Sequence, residues 1–175
     1  MRLAYIGLIS IAFCTAASGA PKHQSVKAKS LPVFSFMGQT TDEARTMDAL
    51  NGSPCTVEGP KVHCADFRDP ELGGATLSFL TMDFYNDRLY MVIGSAKKWA
   101  SPKLLEAFTA KYGPPSITSE KWQNAMGTVL DNPVYTWHFK GGRLELDTIG
   151  SRIDDTDFTF TGINGPPKEP AKVDF

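Results

Sequence analysis

The residues of this sequence that could do chemistry are three histidines, three cysteines and one dense acidic run. His138 and Glu145 lie on two apolar-alternating segments, Val134–Lys140 and Arg143–Thr148, that fold back on each other around Gly141-Gly142. That register sets the imidazole opposite the carboxylate, the base half of a nucleophilic triad. The chemistry would be hydrolysis, yet no serine or cysteine stands in the strand–turn–helix setting that exposes a nucleophile. The favoured reading is therefore an exposed cross-strand pair, worth roughly 0.2–1 kcal/mol. His23 falls in a polar leader, and His63 adjoins Cys64, which is expected to be oxidised and so closed to a metal.

The acidic run Asp154-Asp155-Thr156-Asp157 lacks the glycine and the distant bidentate glutamate of a calcium loop. It reads as a solvated turn before a last strand. Gly73-Gly74 and Gly141-Gly142 do not sit between a strand and a helix, so neither is a phosphate loop. Trp99, Trp122 and Trp137 read as core or rim, with Trp137 on the inner face. No catalytic residue, metal ligand or cofactor is expected.

The cysteines divide by position. Cys14 follows Ile11-Ala12-Phe13, and the bulky Phe13 departs from a lipobox, so lipidation there is the less favoured reading. Arg2, the apolar run Leu3–Phe13 and the small residues Thr15–Ala20 form the layout of a secretory signal peptide, assigned to residues 1–19. Its removal leaves Cys55 and Cys64, a pair best read as a disulfide in an exported chain. Gly59-Pro60 turns the chain between them, so that Cys55 faces Cys64 and Val57 faces Val62. The compartment implied is periplasmic or secreted. The net charge of −1 loses one further base with Arg2. So balanced a chain argues against nucleic acid and anionic membrane surfaces, and no later run reaches transmembrane length.

These residues need elements to hold them. Ser101–Pro115 predicts a helix, with Ser101 as N-cap, Pro102 in the first turn and Leu104, Leu105, Phe108 and Tyr112 as its apolar stripe. Gly113-Pro114 ends it. A second helix is expected from Thr40, where Thr40 and Glu43 have the form of a capping box and Gly52-Ser53-Pro54 closes the segment. Val33–Met37 reads as a first strand. Ala75–Tyr85 and Arg88–Ile93 read as a hairpin around Asn86-Asp87, pairing Phe84 with Leu89, Met82 with Met91 and Leu80 with Ile93. The second hairpin pairs Phe139 with Leu144, Trp137 with Leu146 and Tyr135 with Thr148. Between the hairpins, Ser116–Met126 is a loop or half-formed strand, and Asp131-Asn132-Pro133 a turn. Asp157–Thr161 is the last strand.

The halves repeat one order. Thr40 to Gly52 and Ser101 to Gly113 have equal spacing, both glycines open a Gly-x-Pro, and hairpins FYNDRL and FKGGRL follow. The fold expected is α+β: an antiparallel sheet with short helices on one face, built as a duplicated helix-plus-hairpin unit. The organisation is a signal peptide (1–19), a flexible leader (20–32), one α+β domain (33–161) and a disordered proline-rich tail (162–175).

Leu104–Pro115 and Phe139–Leu146 resemble the "L..AF..KYGPP" helix and "F..GRL.L" hairpin of uncharacterised exported proteins of proteobacteria. More loosely, the order is similar to the helix-then-sheet repeats of the outer-membrane assembly lipoprotein BamE and of the β-lactamase inhibitor proteins. The first resemblance covers most of residues 34–161 and implies no function. The second implies a protein-binding, non-catalytic role.

What remains is the outer sheet face, expected to carry Tyr85, Arg88, Tyr90, His138, Arg143 and Glu145. Tyrosine and arginine are enriched where proteins meet. The favoured function is an exported, soluble, non-catalytic binding or envelope-associated protein whose partner is an envelope or secreted protein. The contrasting reading is a periplasmic hydrolase using His138. The sequence leaves the ligand and the oligomeric state open.

Overall fold

Strong alternation and tight turns build this protein around one antiparallel sheet. A computed structural model describes residues 30–46 and 52–167. The expected signal peptide, most of the leader, the end of the tail and residues 47–51 of the helix expected from Thr40 lie outside the described residues. Two short strands, β1 (Ser35–Phe36) and β2 (Gln39–Thr40), come first. Then follow β3 (Cys55–Glu58), β4 (Lys61–Asp66), β5 (Glu71–Leu72), β6 (Ala75–Tyr85) and β7 (Arg88–Lys97). A 3-10 turn (Lys98–Ala100) leads into α1 (Ser101–Tyr112). The chain closes with β8 (Ser116–Gln123), β9 (Val129–Phe139), β10 (Gly142–Asp147) and β11 (Asp155–Gly162). The nine-stranded sheet runs β3-β4-β6-β7-β11-β10-β9-β8, with β5 beside β6, and every neighbouring pair is antiparallel.

One face of the sheet is the core. A ladder of opposed residues crosses it: Cys64, Met82, Val92, Phe160, Leu144 and Trp137. All six are buried. Leu104 and Phe108 of α1 press onto this face, and the Phe108 ring meets Phe158 and Trp137 edge-on at 5.2 and 5.6 Å. Phe34 fills the remaining space, stacked on Phe160 with ring centroids 3.7 Å apart. Tyr112 Oη and Lys111 Nζ both donate to the Ser35 carbonyl, each at 2.7 Å, which ties the helix to this N-terminal segment.

The helix differs from expectation at its start. Ala100, not Ser101, is the N-cap, because the 3-10 turn runs straight into α1 and no side-chain cap is made. Its stripe and its end at Gly113 are as read, and Trp137 Nε1 donates to the Gly113 carbonyl at 2.8 Å.

The helix expected from Thr40 is not seen in the described part of its range: Thr40 belongs to β2, and Thr41–Glu43 form a bend. Gln39 explains the local path. Its Nε2 donates to the carbonyls of Thr40, Glu43 and Ala44, and its Oε1 accepts the Thr46 N–H. A buried side chain thus satisfies backbone groups that a helix would otherwise pair, a competition open to polar side chains. The capping-box residues still meet, Thr40 Oγ1 lying 2.9 Å from Glu43 Oε2. Among the described residues α1 is the one α-helix, so the architecture is a sheet with one helix on it.

Both hairpin registers shift. In the β6–β7 pair, Phe84 opposes Leu89 as expected, but Met82 opposes Val92 and Leu80 opposes Gly94. Tyr90 is an extra residue on β7, a bulge that swaps the faces beyond it. Val92 turns inward and Met91 and Ile93 turn outward. In the β9–β10 pair the turn is Lys140-Gly141, so Phe139 opposes Gly142, Trp137 opposes Leu144 and Tyr135 opposes Leu146. The slip of two residues keeps every face. Gly142 allows it, since the Phe160 ring and the Thr161 carbonyl occupy the space of a Cβ there.

Four further segments differ. Ser116–Gln123 is a full edge strand, and Asp131-Asn132-Pro133 lies inside β9. Pro133 is tolerated there because only β8 pairs with that part of β9. The acidic run is not a solvated turn. Asp155 is buried and held by Lys97 at 3.0 Å and Arg152 at 2.6 Å, while Asp157 accepts from Ser95 Oγ and Ser151 N, each at 2.6 Å. Gly162, expected to open the tail, ends β11, and Ile163 N donates to the Gly141 carbonyl.

Candidate functional site

The face away from α1 is built by the complementary parity of the same strands. One row across it reads Thr56, His63, Asp83, Met91, Thr161, Arg143 and His138, each residue opposite the next on the neighbouring strand. Thr56, His63, Thr161, Arg143 and His138 are exposed, and Asp83 and Met91 half-buried. Farther along the strands the face is closed. The β10–β11 connection folds over it, where buried Asn132 accepts from Ile149 N and Thr148 Oγ1 and donates to the Ile149 carbonyl and Asp147.

The six residues expected on this face fall into two groups, divided by β11. Tyr85, Arg88 and Tyr90 stand toward β6 and β7; His138, Arg143 and Glu145 stand on β9 and β10. Arg88 is diverted, its guanidinium donating to the Asp42 carbonyl and so anchoring the segment before residue 47. Tyr90 is half-covered, with Gly165 packed against its ring. The His138–Glu145 pairing is not formed: His138 opposes Arg143, Glu145 opposes Thr136, and Arg143 Nε binds Glu145 Oε2 at 3.2 Å. His138 and Arg143 instead line an open depression of about 490 Å³ with Thr161 and Ile163.

The histidine that does gain a carboxylate is His63. Its Nδ1 lies 2.5 Å from Asp83 Oδ1 across the β4–β6 pair. The Asp83 side chain is 16% exposed and the His63 ring 54%, so the acid is set in the sheet and the imidazole stands over it. A carboxylate on Nδ1 fixes the ring and leaves Nε2 as the nitrogen open to a ligand. The pair lines a cleft of about 330 Å³ together with Tyr90, Thr56, Glu58 and Lys61. Burial, assisted by the charge of Asp83, raises the Tyr90 phenol above its usual pKa, so it is a neutral donor near neutral pH.

Half of this site was within reach of the sequence. With Cys64 facing Cys55 inward, period-two alternation puts His63 outward. The partner was not legible, because β5 and its loops separate β4 from β6 and no short turn fixes their register. The disulfide itself is as read: Cys55 and Cys64 are directly opposed and bonded, with Cα atoms 4.1 Å apart. A bond of this kind fits an extracytoplasmic protein. Among the described residues no helix is long and apolar enough to cross a membrane, and no group of three or more potential ligands could hold a metal ion. No protein-family model matches the chain, and no curated protein or solved structure matches it.

Proposed function

We propose that this is an exported, non-catalytic binding protein of the periplasm or the secreted fraction, and that the outer sheet face receives its partner, an envelope or secreted protein. The observation that carries this reading is the contrast between the two faces. One is sealed by α1, Phe34 and Phe36, whereas the row from Thr56 to His138 crosses seven strands uncovered, with a concavity at each end. Exposed Arg143 and His138 beside half-buried Met91 give the mixed polar and apolar character that interfaces use.

Within this proposal the strand order supports a duplication of the sheet part of the expected helix-plus-hairpin unit, residues 40–43 of its first helix forming a strand end and a bend. Four strands of a meander, β3-β4-β6-β7, meet four of a second, β11-β10-β9-β8, last strand against last strand. Two equal units related by a local twofold produce such an order. It also suits the likeness to BamE and to the β-lactamase inhibitor proteins, families that bind other proteins.

Photo-cross-linking from positions 138, 143 and 161 in the native cell envelope, read by mass spectrometry, tests the reading. A discrete protein partner captured from these positions, and not from exposed Lys103 on α1, is the expected result. Capture of none, or the same set from both faces, would overturn it.

A further inference from the structure

The cleft beside Tyr90 supports an inference that goes beyond partner binding. Four of its side chains form a square on two neighbouring strands: Thr56 and Glu58 on β3, and directly opposite them His63 and Lys61 on β4. Opposed Cβ atoms lie about 4.5–5.5 Å apart, whereas next-but-one residues on a strand are separated by roughly 6.5 Å. Glu58 and Lys61 therefore stand one strand spacing apart with opposite charges, yet no ion pair joins them among the described residues. Both charges are available to a ligand. Asp83 is committed to His63 Nδ1, which leaves Nε2 for contact beside Lys61.

We propose that this cleft binds a small zwitterion of the free α-amino-acid class, with its carboxylate between Lys61 and His63, its ammonium at Glu58 and its side chain against the Tyr90 ring. An α-amino acid carries its two charges on adjacent carbons, which matches the short cross-strand separation. A diamine or a dicarboxylate would bring a like charge to one wall. The cavity lies at the lower end of the range of about 300–1,000 Å³ typical of small-molecule sites, too small for a folded partner. Thr56 adds a hydroxyl that can donate or accept.

The disulfide-intact chain, titrated by 15N NMR with individual L-amino acids at up to millimolar concentration, gives the test. At least one is expected to cause saturable shifts at Thr56, Glu58, Lys61 and His63. Lys61→Ala and Glu58→Gln should each weaken its binding about tenfold, while Lys103→Ala on α1 leaves it unchanged. Succinate and putrescine serve as single-sign probes and are expected to bind far more weakly. Absence of a saturable shift with every amino acid would overturn the proposal. So would succinate binding as tightly as the best amino acid, with Glu58→Gln silent, since that describes a plain anion site. Because the cleft is probed at Thr56, Glu58, Lys61 and His63 and the partner face at positions 138, 143 and 161, on other strands, failure here leaves the partner-binding reading to its own experiment.

Discussion

The tip of the Phe158 ring occupies the space that a side chain on Gly94 would need. The two residues oppose each other where β7 meets β11, the seam between the two meanders. Phe158 cannot swing away, because Phe108 and Phe36 flank its ring at 5.2 and 6.1 Å. Gly94→Ala should therefore destabilise the protein by about 1–3 kcal/mol, the usual cost of overpacking. Denaturant unfolding measures it. Combining it with Phe158→Leu should cost less than the sum of the two changes, since the shorter side chain vacates the site.

Cys55–Cys64 closes a loop with a sequence separation of 9. Chain-entropy reasoning gives such a loop roughly 2–3 kcal/mol. β3 is an edge strand with every residue exposed, so little else holds it. Reduction should release fast amide exchange in β3 while β6, β7, β10 and β11 stay protected. Exchange that rises evenly across the sheet would show that the bond supports the whole core instead.

Asp66 supplies an acid-sensitive contact. Hydrogen bonds from the Arg68 guanidinium and the Arg68 backbone N–H, with a further one from Ser53, pull its carboxyl down to about 2. The unfolded value is about 3.9. A carboxyl lowered in the fold stabilises above its unfolded pKa and loses that contribution as pH falls toward the folded one. Asp66→Asn should thus be less stable than the parent near neutral pH, with the gap closing below about pH 4. Parallel melting curves across that range check it.

Asp147 behaves in the opposite sense. Burial is the main force raising its pKa, the Asn132 amide partly offsets it, and the charges of Glu120, Glu145 and Asp157 push the same way as burial. A raised carboxyl costs stability once pH climbs through its folded pKa. Asp147→Asn, which keeps an oxygen for Asn132, should melt at or above the parent temperature near neutral pH. The advantage should vanish in acid, where both side chains are uncharged.

The parts of the fold readable from the sequence were those set by local periodicity. Leu104, Phe108 and Tyr112 announced the α1 face, Asn86-Asp87 the tight turn, and Cys55 with Cys64 the edge hairpin. Register within the long strands was not readable, because Met91 and Val92, which follow the Tyr90 bulge, take their other partners, Thr161 and Phe160, from a strand far away in the sequence. The turn read at Asp131-Asn132-Pro133 and the helix read from Thr40 failed for one shared reason. In each a buried polar side chain, Asn132 in the first and Gln39 just ahead of the second, holds backbone groups that local sequence does not bring to it. The same long-range pairing hid the candidate site, since His63 and Asp83 become neighbours only once β4 lies on β6.

The stacking of Phe34 on Phe160 brings the start of the domain against its final strand. A chain emerging N-terminus first, from a ribosome or a translocation pore, cannot complete its centre until the last strand has followed. Assembly is accordingly deferred to the end of emergence. Truncation ahead of β11 would leave Phe34 without its platform and a hydrophobic sheet half-open, a form that proteases remove.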